Sequence, residues 1–173
     1  MNIFSFSTFQ LLIMAAFAPV LMLGVSKKAE KEINKTFEVS QTRLAPVLSQ
    51  DVTGIEQKRM FRVTSNENLL GYAYLGEAPS KTDTFEYLVV FDVDFAVKKT
   101  KVLVYKEDYG GEIGSKRWLK QFLNKTPDDR FAYRQNIAAI SGATISVKSM
   151  TEAMNTLMIS LASWRENGEP YKL

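Results

Sequence analysis

The sequence predicts an α+β fold: an antiparallel sheet with packed helices, preceded by an N-terminal hydrophobic helix. Three observations predict it. Segments rich in Val, Tyr and Phe follow one another between Met60 and Asp108, separated by short polar turns. Apolar residues recur at helical intervals near the C-terminus, from Ser146 to Trp164. The first 26 residues carry no charged side chain.

The N-terminal run from Thr8 to Val25, TFQLLIMAAFAPVLMLGV, is almost wholly apolar. It sits at the lower limit for spanning a bilayer, which takes roughly 20 helical residues. Pro19 would kink such a helix without forbidding insertion. Residues 1–26 therefore read as a membrane anchor or uncleaved signal, since no small-x-small cleavage site stands out near Ser26. Lys27, Lys28 and Lys31 follow the apolar run, an arrangement that the positive-inside bias associates with a cytoplasmic domain.

Residues 27–57 are polar with isolated apolar positions, are broken by Pro46 and Gly54, and read as a short helix and connector. The remaining residues, 58–173, form the main domain. Its expected strands are Met60 to Ser65, Asn68 to Gly76, Phe85 to Asp94 and Lys99 to Asp108. Connections as short as SNEN (Ser65 to Asn68) imply an antiparallel meander. Ser115 to Lys125 places Trp118, Leu119, Phe122 and Leu123 on one helical face, with Ser115 as N-cap. Phe131 to Ile140 reads as a further strand ending at a Ser-Gly turn. The last helix, from about Ser146, turns Val147, Met150, Met154, Leu157, Met158, Leu161 and Trp164 to the core.

Composition excludes several chemistries. With no Cys and no His, the chain cannot build iron–sulfur, c-type haem or the usual zinc sites, and it has neither a thiol nucleophile nor an imidazole base. Any redox work must come from a bound organic cofactor. The 22 Lys and Arg are interspersed with 19 Asp and Glu, so no basic stripe offers itself to nucleic acid.

The segment that carries chemistry is SGATIS, Ser141 to Ser146, between an apolar segment and a helix start. Gly142 and Ala143 let backbone approach a ligand closely, and Ser141, Thr144 and Ser146 offer hydroxyls beside the unpaired amides of a helix N-terminus. That is a ready site for a phosphate. The same residues also suit a plain turn and cap: Ser146 or Ser149 is a good N-cap, and Ser149 with Glu152 forms a capping-box pattern.

SGATIS resembles the signature of the FMN-binding domain family, which includes the flavin subunits C and G of the sodium-pumping NADH:quinone reductase and Rnf electron-transport complexes. The family pattern is Asp-x-x-Ser/Thr-Gly-Ala-Thr/Ser, with FMN phosphate esterified to the final hydroxyl by a flavin transferase. A second segment is similar too: Tyr105 to Gly114, followed by Trp118-Leu119 and Gln121-Phe122, matches the family's strand, Glu and Gly-rich turn, and Gln-Phe helix. The resemblance covers roughly Met60 to Trp164. Where the family pattern has Asp, three positions before Ser141, this chain has Ala138.

The resemblance implies FMN as cofactor, with Thr144 as the attachment residue and Ser141, Gly142, Ala143 and Ser146 around the phosphate. Glu107, Tyr109, Gly110 and Gly111 would approach the flavin ring, where amides and a carboxylate tune its reduced states. Tyr105 and Trp118 could stack on that ring or belong to the core. The implied role is an electron-transfer flavoprotein, a relay with no organic substrate of its own, on the outer face of the cytoplasmic membrane. Its partners would be the membrane, redox proteins of an electron-transport chain and a flavin transferase. Two other readings are a cofactor-free scaffold module of a membrane electron-transport complex and a flavin-dependent reductase with its own small substrate.

Overall fold

The computed structural model describes residues 25–47 and 59–166. The expected N-terminal hydrophobic helix lies outside them, apart from its last residue. Helix α1 spans Lys27–Thr36 and is followed by strand β1, Arg43–Pro46. The meander continues with β2 (Met60–Ser65), β3 (Asn68–Pro79), β4 (Thr84–Phe91) and β5 (Val97–Val104). Then come a short helix α2, Lys116–Leu119, and the long helix α3, Thr144–Glu166. The strands form one sheet in chain order, antiparallel throughout.

The sheet is covered on both faces, and β4 shows why its sequence is almost continuously apolar. Tyr87, Val89 and Phe91 join the core beneath α3, while Leu88 and Val90 join a second cluster beneath α1. Successive side chains on a strand point to opposite faces, so a strand buried on both must be apolar at every position. Ala29 and Ile33 of α1 fill the second cluster, and Glu32 pairs with Lys99 of β5 at 3.4 Å. On the other face, Val147, Met150, Met154, Leu157, Met158, Leu161 and Trp164 are all buried, which is the stripe read from the sequence. Trp164 meets an aromatic cluster in which the ring of Tyr72 stacks on Phe95 at 4.7 Å.

Some boundaries differ from expectation. β1 forms inside what reads as connector; its four residues pair along β2, and Pro46 is tolerated because β1 is an edge strand. β5 ends at Val104, so residues 105–108 leave the sheet. Ser115 caps α2 as expected, accepting from the Trp118 amide at 3.2 Å, but the helix tightens into a 3₁₀ turn over Lys120–Phe122.

Phe131 to Ile140 is not a strand. Asparagine side chains and a turn satisfy its backbone in place of a neighbouring strand. Asn155 of α3 binds both the amide and the carbonyl of Phe131, at 2.8 and 2.7 Å. Asn136 accepts from the Ala132 amide at 2.7 Å, and the Ala132 carbonyl takes the amides of Gln135, Asn136 and Ile137. Phe131 and Ile137 are nevertheless buried, which is the apolar signal that resembles a strand.

Helix α3 begins at Thr144 and not at Ser146. Neither Ser146 nor Ser149 is its N-cap. Ser149 lies in the second turn, where its hydroxyl donates to the carbonyls of Pro79 and Ser146, so the Ser149 and Glu152 pair is no capping box.

Burial predicts how two apolar residues of α3 differ. Met154 is fully buried and Ile159 is half exposed. Met154→Ala should cost about 2–5 kcal/mol, and Ile159→Ala should stay within about 0.5 kcal/mol of the parent. Urea unfolding followed by circular dichroism measures both; equal effects would contradict this packing.

Candidate functional site

The chain leaves β5 at Tyr105 and turns back beneath the start of α3, and that turn brings the two sequence motifs together. The Tyr105 hydroxyl lies 3.1 Å from the hydroxyl of buried Ser146 and donates to the Tyr109 carbonyl at 3.3 Å. Gly110 then passes so close to Ala143 that a Cβ on it would stand 2.4 Å from the Ala143 Cβ. Its φ of +80° is a left-handed conformation that glycine adopts without strain. The pair works only with two small residues in place, which is a physical reason for Gly110 in one motif and Ala143 in the other.

Gly142, with φ +78°, makes the turn into α3. The Ala143 amide closes that turn on the Ile140 carbonyl at 3.2 Å, and the first helical bond runs from Val147 to the Ala143 carbonyl at 2.9 Å. The amides of Thr144, Ile145 and Ser146 have no acceptor among the described residues. Unclaimed amides at the positive end of a 23-residue helix favour an anion.

These elements surround an open cavity of about 340 Å³. Tyr105, Glu107, Tyr109 and Lys81 line it from the sheet side of the sequence, and residues 142–146 line it from the turn and helix. Thr144 is exposed there, as are Tyr109, at 80%, and Ile145, at 49%.

Of the residues singled out in the sequence, Glu107, Tyr109, Gly142, Ala143, Thr144 and Ser146 share this wall. Gly110 supports it from behind through Ala143. Ser141 is an exposed turn residue and Gly111 opens the 3₁₀ turn over Gly111–Gly114; neither lines the cavity. Tyr105 is on the wall, whereas Trp118 is core and donates its indole N–H to the Ala138 carbonyl at 2.8 Å. Gln121 accepts from the Ala138 amide at 2.7 Å. Trp118 and Gln121 thus pin the chain just before the turn, at the position where an exposed methyl replaces the family carboxylate.

Lys81 and Ile145 are the wall residues that sequence reading passes over. Ile145 sits inside SGATIS. Nothing local marks Lys81, because it comes from the β3–β4 turn, brought in only by tertiary contacts. Glu107 accepts from the Thr82 amide at 2.7 Å and the Thr82 hydroxyl at 3.0 Å, and Lys106 pairs with Asp83 at 2.9 Å. The Ser80 hydroxyl and the Thr82 amide hold the Glu107 carboxyl below the usual carboxylate range, and Lys106 does the same for Asp83.

The residues present fit a flavin mononucleotide. The free amides and the Thr144 hydroxyl suit its phosphate, Gly142 adds no side chain to the cradle, and Tyr109 offers an exposed ring at the rim. A search of curated protein sequences finds no match to the chain. Residues 81–158 match the family model of the FMN-binding domain, a stretch that contains every wall residue of the cavity. FMN is the cofactor that this domain takes, and with it comes a flavin-based electron-transfer role. With both motifs meeting at one cavity inside the matched stretch, residues 81–158 belong to the FMN-binding domain family.

Proposed function

We propose that the chain is a membrane-tethered electron carrier whose FMN is linked through its phosphate to Thr144 and faces the outer side of the cytoplasmic membrane. One observation carries the attachment: the exposed Thr144 hydroxyl stands in the first turn of α3 beside three unclaimed amides, on the wall of the cavity. Those amides would hold the phosphate while the hydroxyl carries the ester. Ser146, by contrast, is buried and engaged with Tyr105, so it is the poorer acceptor for a transferase. FMN supplies the one- and two-electron chemistry; the protein binds it, orients it and leaves one rim open.

The rim suits a relay. Tyr109 and Ile145 are exposed beside the cavity, so a partner can approach an edge of the ring without the domain opening. No His stands by to move protons for a substrate of the protein's own. The uncharged run from Thr8 to Val25 supports the tether, directly ahead of α1. Ala138 in place of the family Asp favours a second reading, in which FMN is held in the same cavity without the ester.

Intact mass and visible absorption test the attachment in chain co-expressed with a flavin transferase. The parent and Thr144→Ser should gain the mass of one FMN less water and keep yellow colour through denaturation; Thr144→Ala should do neither. Colour released by denaturation of the parent would establish non-covalent binding, and a colourless parent would overturn the flavoprotein reading. For location, a reporter that works only outside the cytoplasm, fused after Leu173, should be active. Activity of a cytoplasm-only reporter instead would reverse the topology.

The Glu107 contact with Thr82 also sets a pH window. Because folding lowers the carboxyl from its ordinary value of 4.5, the contact adds stability above that pH and loses it as pH falls through the lowered value. The melting-temperature gap between the parent and Glu107→Gln should therefore be constant at neutral pH and shrink in acid. A gap that widens in acid would contradict this arrangement.

A further inference from the structure

Lys81 is the one cationic side chain among the described residues lining the cavity. The residues around it in the β3–β4 turn are all engaged. The Ser80 amide and hydroxyl donate to the Asp83 carbonyl at 2.7 and 2.8 Å, Thr82 donates twice to Glu107, and Asp83 pairs with Lys106. Lys81 itself makes no hydrogen bond or ion pair with a described residue. The turn is clamped from both sides of one dipeptide, Lys106-Glu107, which leaves its lysine at the cavity with its charge unspent.

We propose that Lys81 is the counter-cation for the negative charge that bound FMN gains on reduction, and that Glu107 is the positioning residue that holds the Lys81 turn against the cavity. The proposal rests on the FMN reading above. The phosphate already has the α3 amides and the helix dipole, so the cavity's one cation is available to the ring. Both Glu107 oxygens are taken by Thr82, so this carboxylate fixes the turn that carries Lys81, apart from whatever its own charge does at the cavity wall. A single charge a few ångström away in a partly solvated site is worth about tenfold in the preference for reduced over oxidised flavin, roughly 30 mV for a two-electron couple.

The test is spectroelectrochemical titration of the full FMN-loaded chain as parent, Lys81→Gln, Lys81→Arg and Glu107→Gln, each checked for its melting temperature. Lys81→Gln should move the midpoint to more negative potential by the shift above, Lys81→Arg should keep the parent value, and added salt should shrink the difference. The Lys81→Gln shift should be smaller in the Glu107→Gln background than in the parent, a coupling that the carboxylate's own charge at the wall does not produce. An unchanged midpoint in folded, FMN-loaded Lys81→Gln overturns the proposal and leaves the flavoprotein reading intact. Weaker capture of FMN but not of riboflavin, at an unchanged midpoint, overturns it in favour of a cation facing the phosphate. Additive shifts overturn the role given to Glu107. A parent chain that holds no FMN overturns the proposal and the reading beneath it together.

Discussion

Burial of the α3 stripe against the aromatic face of the sheet determines where the helix begins, and the site depends on that placement. Met150, Met154, Leu157, Met158 and Leu161 lock the helix in register over the sheet. A close-packed interior tolerates little sliding, so the first turn of α3 is delivered to one place at the sheet's end. Asn155, halfway along the same helix, binds the backbone of Phe131 and so sets the path of the segment that leads to Gly142. The helix therefore places both the amides that suit a phosphate and the turn that precedes them.

Against this anchored terminus, the segment after β5 makes contacts that only small residues allow. Gly110 lies on Ala143, and Tyr105 reaches over to Ser146. The same segment grips the β3–β4 turn through Lys106 and Glu107. Exposed ion pairs of this kind add little stability individually. Their effect here is geometric: they choose which side chain of a surface turn faces the cavity.

The two halves of the molecule have different tasks. The α1 face of the sheet carries a smaller, mostly aliphatic cluster that includes Phe61, while the α3 face carries the large aromatic core and ends at the cavity. The cavity opens at the rim of this small domain, with Tyr109 and Ile145 exposed beside it. That suits electron transfer, which needs close approach of a partner more than an enclosed pocket for a substrate.

The sequence by itself determined the meander, the buried face of α3 and the segment SGATIS, because strand alternation, helical periodicity and a run of small residues are all local signals. Even there, local patterns misled where side chains replaced strand hydrogen bonds. Phe131 to Ile140 has the apolar content of a strand, yet Asn136 and Asn155 satisfy its backbone, and the partner Asn155 is far along the chain. Resemblance in two motifs pointed to FMN, but their meeting at one cavity required the register of α3 on the sheet. The tertiary structure alone decided that Ser141 and Gly111 stand off the cavity wall, that Trp118 is core, and that Lys81 lines the wall. The physical reason is the same in each case: a side chain's surroundings are set by packing and by long-range hydrogen bonds, and neither leaves a mark in the residues next to it in the chain.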